Sequence, residues 1–276
     1  MKNDLILFLG QSNMVGQAER LAESEPVPGA LEYRFLTDEL VPLRDPAGED
    51  LGRGMRPVAP YAEGVPFWEW TDSVLLEGAW ARRTTLLPSF ARAYIRASGR
   101  GVVAVHAAKG CTRAEHWLPG TEGYGAVVTK ARAAVRKAGG GGVYAVWLQG
   151  ESDMLARTAP EDYIDRVLKI KNGLKADLGL CRFGVIRVGR FSSLAPFDGT
   201  PPEDRLRADL SIIAAQDSLC ERDPDCLMLT SAADGLITGD PRYVNPEAAG
   251  HFSALGLQVL GREAGARLGA AVREIG

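Results

Sequence analysis

Residues 5–14 read LILFLGQSNM, so five apolar residues lead through Gly10 into a polar segment that contains Ser12. A short apolar run that ends at a turn residue is typical of a fully buried strand. Similar runs recur along the rest of the chain. We therefore predict five strands, at Leu5–Leu9, Val102–His106, Val143–Leu148, Phe183–Val188 and Leu227–Thr230.

Stretches of helical periodicity lie between these strands. The clearest of them begins at Thr158–Glu161, which resembles a capping box. The apolar positions of three predicted helices are Tyr163, Val167, Ile170 and Leu174; Leu206, Leu210 and Ile213; and Leu257, Leu260, Ala264, Leu268 and Ala271. Strands that alternate with amphipathic helices predict an α/β fold, a three-layer sandwich around a central, mostly parallel sheet of five strands.

The composition is that of a folded protein with a large core. The chain has 276 residues, of which 46% are hydrophobic and 24% charged, and we predict a single domain over residues 1–276. The net charge is −3 and the basic residues do not cluster, which argues against nucleic acid or an anionic membrane as a partner.

The sequence shows no signal peptide and no apolar run long enough to span a membrane. We therefore expect a cytoplasmic protein, or a secreted one if a leader has been removed. We expect the four cysteines to be free thiols, and a disulfide between Cys220 and Cys226 is the alternative in an oxidising compartment.

Residues 20–84 interrupt the alternation of strands and helices. This stretch is rich in proline, glycine and acidic residues, and we predict a loop-rich excursion with one strand candidate at Leu31–Leu36. Trp68 and Trp70 lie within it. Their rings either anchor the loop or stack on the sugar rings of a substrate.

Ser12 is a candidate nucleophile because it follows the first predicted strand. Ligands of open parallel sheets bind beyond the carboxyl ends of the strands. A serine at the start of a helix also lies among exposed backbone N–H groups that can stabilise an oxyanion. The alternative is a serine that only caps the helix. The surrounding segment is neither a G-x-S-x-G elbow nor a phosphate-binding loop.

A serine nucleophile needs a base, and the chain has three histidines. His251 lies at the entry to the last predicted helix, from which its side chain could reach Ser12 across the edge of the sheet. His106, at the end of a predicted strand, is the alternative base, and His116 lies in a loop beside Trp117.

Four blocks of sequence follow one another along the chain: Gly10-Gln11-Ser12-Asn13-Met14; Lys109-Gly110-Cys111-Thr112, leading to Trp117; Trp147-Leu148-Gln149-Gly150-Glu151-Ser152-Asp153; and His251-Phe252-Ser253, before Gly256. They resemble the ordered blocks of the SGNH hydrolases. The first and third blocks together are similar to the branch that contains sialate O-acetylesterases and the acetylxylan esterases of plants and bacteria. The resemblance spans essentially the whole chain and implies a flavodoxin-like SGNH hydrolase fold and a carbohydrate O-acetylesterase.

The resemblance implies roles for individual residues. Ser12 would attack the acetyl carbonyl, and His251 would accept its proton. The backbone N–H groups of Ser12 and Gly110 and the side-chain amide of Gln149 would form the oxyanion hole. The candidate substrate contacts are Gln11, Asn13, Trp68, Trp70, Trp117 and Asp153. The alternative for Asp153 is a cap for the turn that follows it.

The sequence departs from the family pattern at two positions. Ala248 stands where the family has an aspartate that orients the histidine. Glu247 is our first candidate for the missing carboxylate, because it would share a face with His251 if Pro246 already begins the helix. The alternatives are Glu151, Asp240 and a bare Ser–His dyad. At the second position, Cys111 replaces a glycine of the family. It lies in the block Lys109–Thr112, which we term the oxyanion loop, and we expect it to pack rather than react.

We predict metal-independent hydrolysis of an acetyl ester without a cofactor, since no metal-binding motif is present. The substrate would be an O-acetylated carbohydrate of the xylan or sialic acid type. The reaction would pass through an acetyl-enzyme intermediate. Two alternatives remain at this stage. One is an esterase of lipid or other small acyl esters. The other is a catalytically degenerate carbohydrate-binding module on the same scaffold.

Overall fold

The computed structural model of the protein describes residues 2–19, 24–35, 37–48, 84–194 and 199–275. Seven strands form one sheet, and they are β1 (Asn3–Gly10), β2 (Ala30–Arg34), β3 (Glu39–Pro42), β4 (Gly101–Ala108), β5 (Val143–Leu148), β6 (Leu180–Ile186) and β7 (Cys226–Thr230). Their order is β3-β2-β4-β1-β5-β6-β7. Every neighbouring pair is parallel except β2 and β3. Trp68, Trp70 and most of the predicted excursion lie outside the described residues.

Among the described residues, the helices are α1 (Ser12–Val15), α2 (Leu87–Ser98), α3 (Glu122–Ala138), α4 (Glu151–Ala156), α5 (Pro160–Leu178), α6 (Pro202–Arg222), α7 (Ala233–Thr238) and α8 (Ala254–Ile275). Two short 3-10 helices lie at Ala114–Trp117 and Pro241–Tyr243. Helices α2 and α8 pack together on one face of the sheet, and α3, α5 and α6 pack in series on the other. The sheet therefore lies between two helical layers, as in other folds in which helices connect parallel strands. Among the described residues, no helix combines the length and the apolar character that crossing a membrane requires.

The α/β class and the mostly parallel sheet agree with the sequence prediction, but the strand count of five was too low. Of the two additional strands, β2 confirms the strand candidate at Leu31–Leu36 within the excursion, and β3 was not predicted. They form an antiparallel pair, which β2 adds to the edge of β4. β3 has only four residues, none of them buried, so it lacks the apolar run by which the other strands are recognised.

Two of the three predicted helical faces are correct. Tyr163, Val167, Ile170 and Leu174 are buried in α5, and Leu257, Leu260, Ala264 and Leu268 are buried in α8. The capping box before α5 is wrong, because the N-cap residue is Ala159 and the Thr158 hydroxyl instead donates to Asp153.

The predicted face of α6 is only partly correct, because Ile213 is buried as expected but Leu206 and Leu210 are exposed. The buried face of this helix carries Asp209 and Gln216 beside Ile212 and Leu219. Polar side chains that are buried with partners are invisible to an apolar pattern.

Helices α2 and α8 approach each other closely because α8 carries a glycine at every fourth position along the contact. A Cβ at Gly265 would lie 2.2 Å from the carbonyl oxygen of Phe90, and one at Gly269 would lie 2.7 Å from that of Tyr94. Residues four apart lie on the same helix face. The glycines therefore form a stripe along which the backbone of α2 rests.

Candidate active site

Three neighbouring strands end at the same level of the sheet. Gly10 at the end of β1 is paired with Ala108 of β4 on one side and Leu148 of β5 on the other. The residues that follow the three strands, which include Ser12, Gly110 and Gln149, therefore emerge at one edge. The strand order also reverses at β1, with β4 and β5 on its two sides, and open α/β sheets bind ligands at such a reversal.

Gly10 makes the sharp turn that brings Ser12 to this edge. Its φ is +147°, and a Cβ there would lie 1.9 Å from the carbonyl oxygen of Leu148. Only glycine avoids that collision. Gln11 then acts as the N-cap of α1, and Ser12 is the first residue of that single turn of helix.

The side chains of Ser12 and His251 are in hydrogen-bond contact, although 239 positions separate them in the chain. Ser12 Oγ lies 2.8 Å from His251 Nε2. His251 is carried by residues 244–253, which we term the His251 loop. The backbone pairing of Asn245 with His251 closes this loop, and the Asn245 amide donates to the carbonyl of Gln17 near the end of α1.

The second ring nitrogen of His251 faces a backbone carbonyl. Nδ1 lies 3.0 Å from the carbonyl oxygen of Ala249. A carbonyl oxygen can only accept a hydrogen bond, so Nδ1 carries the proton and the lone pair of Nε2 faces the hydroxyl of Ser12. Burial lowers the pKa of His251, while hydrogen bonds with the backbone of Ala249 and Ala248 act in the opposite direction.

The other two histidines lie in different surroundings. His106 Nε2 lies 3.0 Å from the carbonyl oxygen of Met14. His116 accepts through Nδ1 from the backbone N–H of Arg113 and so closes the 3-10 helix that follows the oxyanion loop. The alternative base, His106, is therefore turned toward α1 backbone, and it is His251 that lies against Ser12.

Two backbone N–H groups at this edge of the sheet are without a partner in the described part of the chain. Within the described residues, neither the N–H of Ser12 nor that of Gly110 has a hydrogen-bond acceptor. Cys111, which follows Gly110, has a left-handed φ of 57°. Glycine adopts this conformation without strain, which accounts for the glycine that the family pattern places here. The Cys111 side chain is exposed, so our prediction that it packs was wrong.

The family model described as "carbohydrate esterase, sialic acid-specific acetylesterase" matches residues 2–198 of this sequence. The chain belongs to this family. It is therefore a carboxylic ester hydrolase of the carbohydrate acetylesterase type. The match contains Ser12, Gly110, Gln149 and Glu151, whereas His251 lies beyond its end.

Solved structures are similar to this esterase in fold. A protein from Arabidopsis thaliana superimposes with a TM-score of 0.62 at 16% identity, over 98% of this chain and 99% of that one. NanS also superimposes with a TM-score of 0.62 at 16% identity, over 99% of this chain and 98% of that one. No curated protein matches the sequence.

Gln149 of the esterase follows β5 at this edge, but its side chain is not exposed there. The side chain is buried, and its amide nitrogen lies 2.6 Å from Asp153 Oδ2, 3.0 Å from the carbonyl oxygen of Thr112 and 3.3 Å from Gln11 Oε1. An amide group has two protons to donate. Both already have acceptors in the protein, so the Gln149 amide has no free N–H for the predicted role of third oxyanion donor in this arrangement.

Asp153 supports the oxyanion loop from below. Its carboxylate accepts from the backbone N–H of Ala114 at 2.8 Å and from Gln149 and Thr158. Because Asp153 is 0% exposed, our prediction that it contacts substrate was wrong.

Gln11 and Trp117, also predicted to contact substrate, are buried with protein partners. Gln11 Oε1 accepts from the backbone N–H of Ser152 at the start of α4, and Trp117 donates to the hydroxyl of Thr112. The ring of Trp117 packs edge-on against that of Trp147 in the core. Both residues therefore hold the site's framework together. Trp68 and Trp70, the other predicted aromatic contacts, lie outside the described residues.

The three candidate carboxylates differ in position. Glu247 is exposed, and the helix assumed for it does not form, because residues 246–250 are turns and α8 begins only at Ala254. The reason is that the Asn245 side chain accepts from the N–H of Glu247 in a local turn. Asp240 is paired with Arg242. Glu151 is buried and accepts from Asn13 at 2.8 Å.

Sequence reasoning missed two groups near His251. The carbonyl of Ala249 carries no signal in the sequence, because every residue has a backbone carbonyl. Phe191 follows β6 and meets the imidazole, and its position after a strand was a usable signal. Among the described residues, no group of three or more His, Cys, Asp or Glu side chains is arranged to hold a metal ion.

Proposed function

We propose that this esterase removes O-acetyl groups from a carbohydrate, with Ser12 as the nucleophile and His251 as the general base. The observation that carries the proposal is the 2.8 Å contact between Ser12 Oγ and His251 Nε2. A nucleophile within hydrogen-bond reach of a base that is itself oriented by a third group is the arrangement used in covalent catalysis.

In the first half of the reaction, Ser12 Oγ forms a bond to the acetyl carbonyl carbon and its proton passes to His251 Nε2. The carbonyl oxygen becomes an oxyanion and accepts from the N–H groups of Ser12 and Gly110, each worth about 3 kcal/mol in comparable sites. The bond to the sugar oxygen then breaks, and that oxygen takes the proton from His251. The products at this point are the sugar alcohol and acetyl-Ser12.

In the second half, His251 takes a proton from water as the water oxygen attacks the acetyl carbonyl carbon. The oxyanion that forms again accepts hydrogen bonds from the same two N–H groups. The bond to Ser12 Oγ breaks, and Oγ recovers its proton from His251. Acetate leaves, the hydroxyl of Ser12 is protonated again, and the imidazole of His251 is again neutral.

The family description supports an acetylated sugar, including sialic acid, as the substrate. The experiment is acetate release from acetylated xylan oligosaccharides, O-acetylated sialic acid and longer acyl esters, together with labelling by a fluorophosphonate probe. Ser12→Ala should abolish both turnover and labelling and leave the melting temperature nearly unchanged. Ser211→Ala, a serine on α6, is the matched control and should keep both. Turnover by Ser12→Ala would refute the assignment.

A further inference from the structure

Asn13 follows Ser12 directly and contacts the His251 loop from the nucleophile side. Its side chain is buried. Oδ1 accepts from the backbone N–H of Phe252 at 3.2 Å, and Nδ2 lies 3.5 Å from the carbonyl oxygen of Gly250. The two residues contacted are those immediately before and after His251. The amide thus holds the backbone on both sides of the imidazole.

Glu151 determines which way the amide of Asn13 faces. Asn13 Nδ2 donates to Glu151 Oε1 at 2.8 Å. If the amide were turned over, its oxygen would face the carboxylate oxygen and its N–H groups would face the N–H of Phe252. Two acceptors would then face each other at Glu151 and two donors at Phe252, so both hydrogen bonds would be lost. Burial raises the pKa of Glu151, but an oxygen acceptor toward Asn13 remains in either protonation state.

The hydrogen bond between His251 Nδ1 and the carbonyl of Ala249 cannot by itself hold His251 against Ser12. This carbonyl belongs to the His251 loop, so it orients the ring within the loop but does not tie the loop to α1. The Asn13 contacts do tie the loop to α1, and they start from the residue next to the nucleophile. Glu151, on α4, adds a third element to the same connection.

We propose that Asn13, oriented by Glu151, is a positioning residue that keeps the imidazole of His251 at the hydroxyl of Ser12. This inference rests on the proposed function. It assigns Glu151 an action through Asn13 and not through direct contact of its charge with the imidazole. A displacement of about 1 Å in a catalytic group can cost on the order of 100-fold in rate.

The test compares four variants in hydrolysis of an acetyl ester. Asn13→Ala should lower kcat by about 100-fold and change KM by less than about 3-fold. Glu151→Ala should have a similar effect. Glu151→Gln retains an oxygen that accepts from Asn13, and it should keep kcat within about 5-fold of the wild type and leave the acid limb of its pH profile in place. The double variant Asn13→Ala/Glu151→Ala should be no slower than Asn13→Ala alone, because residues in one chain of contacts are not additive.

Asp4→Ala is the matched control. Asp4 is a buried carboxylate at the opposite end of β1, bound by Tyr94 and Arg100. Its removal should lower stability to a similar degree and leave kcat unchanged. Equal loss of kcat in Asp4→Ala would show that the effect of Glu151→Ala is loss of stability alone.

Three results would overturn the proposal. The first is a folded Asn13→Ala variant with kcat within 3-fold of the wild type. The second is a Glu151→Gln variant as slow as Glu151→Ala with its acid limb moved to lower pH, because that would indicate direct action of the carboxylate charge on His251. The third is additive losses in the double variant. If Asn13→Ala fails to fold, the contrast between Glu151→Gln and Glu151→Ala decides.

Failure of the proposed function is recognised separately, because the wild type itself would then show no acetyl ester turnover and no probe labelling. In that case the ¹⁵N NMR signal of His251 Nε2, the nitrogen that faces the Ser12 hydroxyl, tests the positioning directly. Its chemical shift should be that of a hydrogen-bonded nitrogen in the wild type and Glu151→Gln, and should move toward the value of an unbonded imidazole nitrogen in Asn13→Ala. An unchanged signal in Asn13→Ala would contradict the proposal.

Discussion

The ring of Phe191 meets the imidazole of His251 edge-on, with ring centroids 5.8 Å apart and planes at 89°. The same phenyl ring leaves no room for a side chain at the neighbouring Gly250, where a Cβ would lie 2.3 Å from it. Phe191 is held in turn by Asp209, whose buried carboxylate accepts from the backbone N–H groups of Phe191, Ser192 and Ser193. The segment after β6 therefore forms one wall of the His251 loop.

Phe191→Leu should lower kcat for acetyl ester hydrolysis by about 10-fold, because the imidazole loses the edge-on ring contact that limits its rotation. Steady-state kinetics on the purified variant measures the effect. Phe183→Leu, a fully buried phenylalanine in β6, is the control, and it should lose stability with little change in kcat. Equal kcat in the two variants would contradict a role for the Phe191 contact.

The acid limb of kcat/KM should have an apparent pKa below 6.5. Burial lowers the pKa of His251, so the neutral imidazole that accepts the proton of Ser12 persists to lower pH than a free histidine. Activity should therefore be lost only as the pH falls through that lowered value. The measurement is kcat/KM between pH 4.5 and 8. A limb centred above 6.5 would mean that negative charge near His251 outweighs its burial.

Gly265→Ala should destabilise the protein by about 1–3 kcal/mol, because the added methyl would press against the carbonyl of Phe90 and separate α8 from α2. Gly235→Ala is the matched variant on α7, where an added Cβ meets nothing within 4 Å. It should be neutral or stabilising by up to about 1 kcal/mol, since alanine is the better helix former. Urea denaturation of both proteins gives the comparison. The prediction fails if the two substitutions have the same sign.

Asp45→Asn should stabilise the protein above pH 6. Burial raises the pKa of Asp45 to about 6, against the hydrogen bonds that it accepts from Thr85. In the unfolded chain the carboxyl ionises near 3.8, so between these values the folded state binds more protons, and its stability falls as the pH rises. Asparagine keeps the acceptor without the charge. We expect a gain on the order of 1–3 kcal/mol at pH 7 and little difference at pH 4.

Denaturation of the wild type and Asp45→Asn at pH 4, 5, 6 and 7 tests this directly. The difference between the two free energies of unfolding should grow with pH and level off above 6. A constant difference across the range would mean that Asp45 titrates at its ordinary pKa in the folded protein.

Much of the framework could be predicted from the chain. Buried parallel strands are continuous apolar runs, so β1, β4, β5, β6 and β7 were visible, whereas the short, exposed β3 was not. The buried face of α6 was missed because Asp209 and Gln216 take the places where apolar residues were expected.

For the candidate site too, the sequence indicated some of the residues and not others. Ser12 could be proposed because it directly follows a buried strand, with a helix cap as the alternative. His251 was one of three histidines, and His106 stayed open as the base until the structure placed His251 against Ser12. The carboxylate sought at Glu247 could not be judged, since a turn replaces the helix that the prediction assumed. The acceptor at Nδ1 is a backbone carbonyl, which no residue type reveals.

The order of residues carries local information: which segments are apolar, which turns need glycine, and which few side chains have the chemistry to react. It does not carry the distance between Ser12 and His251, because that distance results from the sum of many strand and helix packings between them. The sequence also does not show the contacts of Asn13. Its three partners lie on α4 and in the His251 loop, and they reach Asn13 only when the chain folds. Hydrogen bonds act over about 3 Å, so a site is specified at a precision that only the packed chain attains.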